Sequence, residues 1–136
     1  MNVIVCIDEA GGMLFNGRRQ SKDKCLRQKA RELAQSEPLW MNSYTASQFA
    51  EDGYEVVVDE DFLSNAPENA WCFVENRDLL PWIQNIQQVA VYHWNRRYPS
   101  DVKFPMDVLR SQWKRISVKE FAGNSHERIT EEVYTR

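Results

Sequence analysis

Val3-Ile4-Val5-Cys6-Ile7, close to the start of the chain, constrains the fold more than any other stretch. These residues are apolar, mostly β-branched, and lack the polar alternation that a sheet with one wet face imposes. Such a run fits an interior strand covered on both faces, and the covering layers in that case are helices. The chain has 136 residues, 43% of them apolar, which is enough for one core. One domain spanning residues 1–136, with no linker, is therefore expected.

Other elements follow from local signals. Asp8 to Gly12 reads as a loop, since paired glycines free the backbone and acidic residues tolerate turns, and Asn16-Gly17 marks another turn. Leu26, Ala30, Leu33 and Ala34 recur at helical spacing. They predict a helix from about Lys22 to Gln35, capped by Ser21, with Asp23 in a first turn whose dipole favours an anion. Pro38 stops it. Leu39-Trp40-Met41 reads as a short buried strand, and Ser43 or Thr45 as the cap of a short helix through Phe49. Strands are expected at Tyr54 to Val58, Trp71 to Val74 and Val89 to Trp94, with a polar connection from Asp59 to Asn69 that has room for a helical turn and a short helix capped by Asp78. In the last third, Trp113, Ile116, Val118 and Phe121 precede a turn at Ala122 to Ser125, and Ile129, Val133 and Tyr134 lie in the return arm. That arm also suits a helix by composition; the mixed α/β order selects long strands joined by a tight turn.

A formal net charge of −3 and a pI near 5.4 argue against a mainly electrostatic grip on nucleic acid. Trp82, Trp94, Arg96, Arg97 and Tyr98 mix stacking and cationic groups as single-strand binders do, but core aromatics beside a solvated strand end are the commoner cause. Cys6, Cys25 and Cys72 are odd in number and widely spaced, so neither a disulfide framework nor a metal pair is expected, and Cys6 and Cys72 read as core thiols. His93 and His126 stand apart without neighbouring ligands, so no metal site is expected and both read as surface or strand residues. No apolar run approaches the ~20 residues needed to cross a bilayer, and no targeting segment is visible; the expected location is the cytoplasm, away from membranes.

Ser100-Asp101-Val102-Lys103-Phe104-Pro105, followed by Trp113, Phe121, Ser125-His126 and Val133-Tyr134, resembles the C-terminal part of the dihydrofolate reductases, with Val102 in place of the usual threonine. Ile4-Val5-Cys6-Ile7-Asp8-Glu9, then Gly12 and Asn16-Gly17-Arg18, is similar to that family's first strand and mobile substrate loop. Pro38 to Thr45 resembles its next strand and the start of its Gly-Arg-x-Thr helix. The resemblance implies an α/β fold: a twisted, mostly parallel sheet flanked by helices, with an antiparallel C-terminal strand and a cleft for NADPH and dihydrofolate. The chain is shorter than typical bacterial members, and the missing length lies between Val58 and Leu80.

Hydride transfer to a pterin needs a nicotinamide held against the ring and a carboxylic acid that holds the pterin and helps to deliver a proton. The resemblance puts Asp23 in the acid position if two residues are deleted from the preceding loop, and Leu26 there if none is; an ordinary first-turn acid is the other reading of Asp23. It further implies Ile4, Cys6, Leu26 and Arg18 as substrate-binding, and Ile7, Gly12, Asn16, Ser43 and Thr45 as binding NADPH. Several positions depart from the family. Arg19-Gln20-Ser21 replaces Leu-Pro-Trp, turning an apolar wall cationic, and Arg18 and Arg19 either hold an anion such as a phosphate or are solvated. Glu75-Asn76 replaces a glycine pair and Asn42-Ser43 replaces Gly-Arg; a carboxylate beside a pyrophosphate repels it. Glu51 to Glu55 offers no arginine for a folate tail.

Two functions from different classes are compatible with this pattern. One is a shortened, diverged NADPH-dependent reductase of dihydrofolate or a related pterin. The other is a non-catalytic ligand-binding or interaction protein that retains the reductase fold. A small-molecule pterin or nucleotide is the expected partner.

Overall fold

Successive residues of the first strand go to opposite cores, as a strand covered on both faces requires. In the computed structural model, which describes all 136 residues, the chain begins with β1 (Asn2–Ile7), a hairpin of β2 (Gly12–Phe15) and β3 (Arg18–Arg19), and α1 (Lys24–Leu33). There follow β4 (Leu39–Met41), α2 (Ser43–Phe49), β5 (Val56–Val58), α3 (Phe62–Asn65) and β6 (Trp71–Phe73). A 3-10 segment at Leu80–Asn85 leads to β7 (Gln88–His93), β8 (Val102–Lys103), α4 (Met106–Gln112), β9 (Lys114–Phe121) and β10 (Ile129–Thr135).

The main sheet has seven strands in the order β5-β4-β6-β1-β7-β10-β9, and β1 sits between β6 and β7, parallel to both. β10 pairs antiparallel with both β7 and β9, so it alone runs against the rest. A three-stranded sheet, β3-β2-β8, closes over the carboxyl end of β1. Val3, Val5 and Ile7 join Val89, Val91, Phe62, Phe104 and Trp113 in one core. Ile4 joins Leu26, Ala30, Phe73, Tyr92 and Ile129 in the other. Removing the Ile4 side chain from water contributes roughly 2 to 3 kcal/mol.

Several elements differ from the sequence reading in their ends. Asp23, expected inside the first turn of α1, is its N-cap: Oδ1 accepts from the Leu26 amide at 3.0 Å, and Ser21 stays in the loop. Asn42, rather than Ser43 or Thr45, caps α2, accepting from the Thr45 amide at 3.1 Å. Asp78 accepts from Leu80, opening a 3-10 segment in place of an α-helix. The C-terminal third does contain long strands, but β8 and α4 separate β7 from them, and residues 122–128 form a longer link than the expected turn.

Candidate functional site

The residues that line the implied cleft come from the carboxyl ends of β1, β6 and β7, the β2–β3 hairpin and the loop before α1. Its carboxylate, Asp23, is 1% exposed and fully engaged by the protein itself. Oδ2 accepts from the Ser125 amide at 2.8 Å and from the Ser125 hydroxyl at 2.9 Å, in addition to the cap bond at Oδ1. Burial alone would raise its pKa, but these donors from Ser125 and Leu26 outweigh that and hold the carboxyl below the usual aspartate range. Asp23 is thus an ionised carboxylate that pins the β9–β10 link to the start of α1.

Ser125 extends this network to a residue read as an isolated strand or surface histidine. His126 is 4% exposed and stacks on Trp94 with ring centroids 4.6 Å apart. Its Nε2 lies 2.6 Å from the Tyr98 hydroxyl and its Nδ1 2.8 Å from Ser125 Oγ. Burial and the nearby charge of Arg96 lower its pKa, against the pull of Asp23, which keeps the ring neutral. The tautomer with hydrogen on Nδ1 completes a chain: Tyr98 donates to Nε2, Nδ1–H donates to Ser125 Oγ, and the hydroxyl lies between Asp23 Oδ2 and the Lys22 carbonyl. The neighbouring Ser125-His126 pair was the available sequence signal, but its partners Asp23 and Tyr98 are distant along the chain.

The mouth of the cleft is filled by an ion pair. Arg19 Nε lies 2.9 Å from Glu75 Oε2, and Arg19 Nη2 lies 3.2 Å from Oε1 and 2.9 Å from the Tyr44 carbonyl. The same guanidinium lies 4.4 Å from the Tyr44 ring centroid, and the Tyr44 hydroxyl accepts from the Arg19 amide at 2.7 Å. Cys6, Met13, Arg19, Gln20, Ser21, Val74, Glu75 and Trp94 enclose what space remains, about 10 Å³. Sites for small ligands usually offer about 300 Å³ or more. Cys6, half-buried here, has its thiol pushed up by burial and by the Glu75 and Asp23 charges.

At the start of α2 the donors that could meet a phosphate are also taken. The Ser43 amide donates to Glu60 Oε2 at 2.8 Å, which holds the Glu60 carboxyl below its usual range, and Asn42 Nδ2 donates to Asn76 Oδ1 at 2.7 Å. Thr45 Oγ1 is buried without a partner, but the residue is 1% exposed. With Glu60 on the helix-start amide and Glu75 at the strand end, the residues present do not fit a dinucleotide pyrophosphate.

The other implied residues are dispersed. Ile4 and Leu26 lie in the core on the α1 side, and Ile7 in the opposite core. A Cβ on Gly12 would come 2.4 Å from the Ser100 Cβ, so its missing side chain makes room for the Ser100 loop. Asn16 (φ 52°) and exposed Arg18 stand at the hairpin tip. No group of three histidine, cysteine, aspartate or glutamate side chains suited to a metal ion is present, and no helix is long and apolar enough to cross a membrane.

No family model matches the sequence, and no curated protein matches it. Among solved structures, it is similar to dihydrofolate reductase from Enterococcus faecalis, solved in complex with NADP(H) and RAB-propyl. The TM-score is 0.69 at 14% sequence identity, over 99% of this chain and 95% of that one. A likeness of that extent establishes that this chain, with its mostly parallel sheet and reversed β10, has a dihydrofolate-reductase-like fold.

Proposed function

We propose that this chain is a non-catalytic ligand-binding or interaction protein that retains the reductase fold and has closed the reductase cleft with its own side chains. The observation that carries this reading is the residual space of about 10 Å³ behind the Arg19–Glu75 pair. A pterin ring has no room there, and the Asp23 oxygens are already committed to Leu26 and Ser125. The lowered pKa of Asp23 points the same way, since an acid that helps to deliver a proton near neutral pH works best with a raised one.

A second reading, an NADPH-dependent reductase of dihydrofolate or a related pterin, is favoured by one feature: Asp23 stands at the start of α1 with Cys6 nearby. It requires the Arg19–Glu75 pair to part and Ser125 to release the carboxylate. Titration with NADPH, followed by tryptophan emission and coupled to loss of absorbance with dihydrofolate, separates the two. The binding-protein reading expects no turnover at high protein concentration. Turnover that falls sharply in Asp23→Asn would establish the reductase instead.

A further inference from the structure

A second hollow adjoins the closed cleft, sharing Arg19 and Gln20 with it, where two sequence features about eighty residues apart converge: the Arg18-Arg19 pair and the aromatic-cationic run ending in Tyr98. Phe15, Asn16, Arg18, Arg19, Gln20, Tyr98 and Pro99 line a space of about 330 Å³. None of these residues is acidic, although the chain as a whole carries −3. Phe15 is 47% exposed, a high value for a phenylalanine that the fold could have buried. Arg19 is committed to Glu75, whereas Arg18 is exposed and has no carboxylate partner among the ion pairs of the structure. The walls are tied together: the Asn16 amide donates to Asp101 Oδ2 at 3.0 Å, and the Asp101 amide donates to the Leu14 carbonyl at 3.0 Å. An aromatic, cation-bearing and pre-braced hollow of this size matches a ring carrying an anion.

We propose that this hollow binds a free nucleoside monophosphate, its base against Phe15 and Tyr98 and its phosphate on Arg18. The proposal gives a ligand to the binding role argued above. Arg19 and Gln20 line both the hollow and the cleft, but AMP binding and dihydrofolate turnover are separate readouts, so either proposal can fail alone. Stacking on an aromatic ring holds a base whatever its sequence, and an arginine–phosphate pair adds a charge-assisted bond. A longer single strand would place further phosphates over an acidic protein, which favours the mononucleotide.

The test is calorimetric titration of the intact chain with AMP, adenosine, inorganic phosphate and a short oligoadenylate, with amide shifts mapped in parallel by NMR. AMP should bind with shifts confined to Phe15–Gln20 and Tyr98–Asp101. Adenosine and phosphate should each bind at least tenfold more weakly. Arg18→Glu and Phe15→Ala, both at exposed positions, should each weaken AMP at least tenfold, and Lys114→Glu on a distant edge should leave it unchanged. Oligoadenylate binding more tightly per nucleotide than AMP would overturn the free-nucleotide assignment in favour of single-stranded nucleic acid. Absence of AMP binding at millimolar concentration, or binding indifferent to both variants, would remove the site altogether. Turnover with NADPH and dihydrofolate would instead defeat the closed-cleft reading and leave this one standing.

Discussion

Gly123 shows how tightly the Asp23 network is built. A Cβ at this position would lie 2.3 Å from Asp23 Oδ2, 2.8 Å from Ile129 Cδ1 and 2.9 Å from the His126 carbonyl. The Gly123 amide also bonds that carbonyl, so the backbone has little freedom to retreat. Overpacking a core typically costs about 1 to 3 kcal/mol, and here it would also push a charged acceptor off its donors. Gly123→Ala should therefore lower unfolding stability by roughly 2 to 4 kcal/mol in urea melts. A loss below about 0.5 kcal/mol would mean that the loop yields freely and that the network is not tight. Asp23→Ala removes the α1 cap together with the anchor for Ser125, and a loss of roughly 2 to 4 kcal/mol is expected there too.

At the level of elements, the β2–β3 hairpin is held to the main sheet by the Arg19–Glu75 pair and the Arg19–Tyr44 contacts. Glu75→Gln should loosen that hold without removing bulk, so trypsin should cut after Arg18 or Arg19 several times faster than in the parent while tryptophan emission still reports a folded chain. Equal cutting rates would show that the hairpin is fixed by its own packing, through Met13 and Leu14. The scaffold under this hairpin was legible in sequence because strand periodicity is local: Val3–Ile7, the run around Val89–Val91 and the two C-terminal arms each announce themselves within a few residues. The strands β2, β3 and β8 and the helix α4 are not legible in this way, since β2 opens inside the glycine pair, two-residue strands carry no period and α4 has no side-chain cap. Caps slipped by one to three residues because Ser21, Asp23, Asn42, Ser43 and Thr45 are all competent caps, and the choice among them depends on where the strand before each helix ends. The closure of the cleft was the least legible feature. The replacement of Leu-Pro-Trp by Arg19-Gln20-Ser21 was visible, but that Arg19 meets Glu75, fifty-six residues away, follows from topology alone.

Across the whole molecule, the buried titratable groups set a pH window for stability. The carboxyls of Asp8, Asp23 and Glu132 are held low in the fold: burial would raise each, but Tyr98, Gly12 and Ala10 amides at Asp8, Ser125 and Leu26 at Asp23, and Arg115 and His93 at Glu132 outweigh it. Their contribution is complete above the unfolded carboxyl values near 4 and is lost as pH falls through the lower folded values. His126 acts at a higher pH. Its folded value lies below the unfolded value of about 6.5, so below that pH the unfolded chain takes up a proton that the folded chain refuses. On the alkaline side, burial lifts the Cys72 thiol to about 12 and pushes Tyr92 well above its ordinary value. These groups stay neutral in the fold while the unfolded chain ionises, so stability falls again above about pH 9. Urea midpoints measured across pH should therefore form a plateau from roughly pH 6.5 to 9, with a first acid slope beginning near 6.5 and a steeper one near 4. In His126→Gln the first slope should vanish while the second remains, because the carboxyls are unchanged. A first slope that survives this substitution would show that His126 is not the group that sets it.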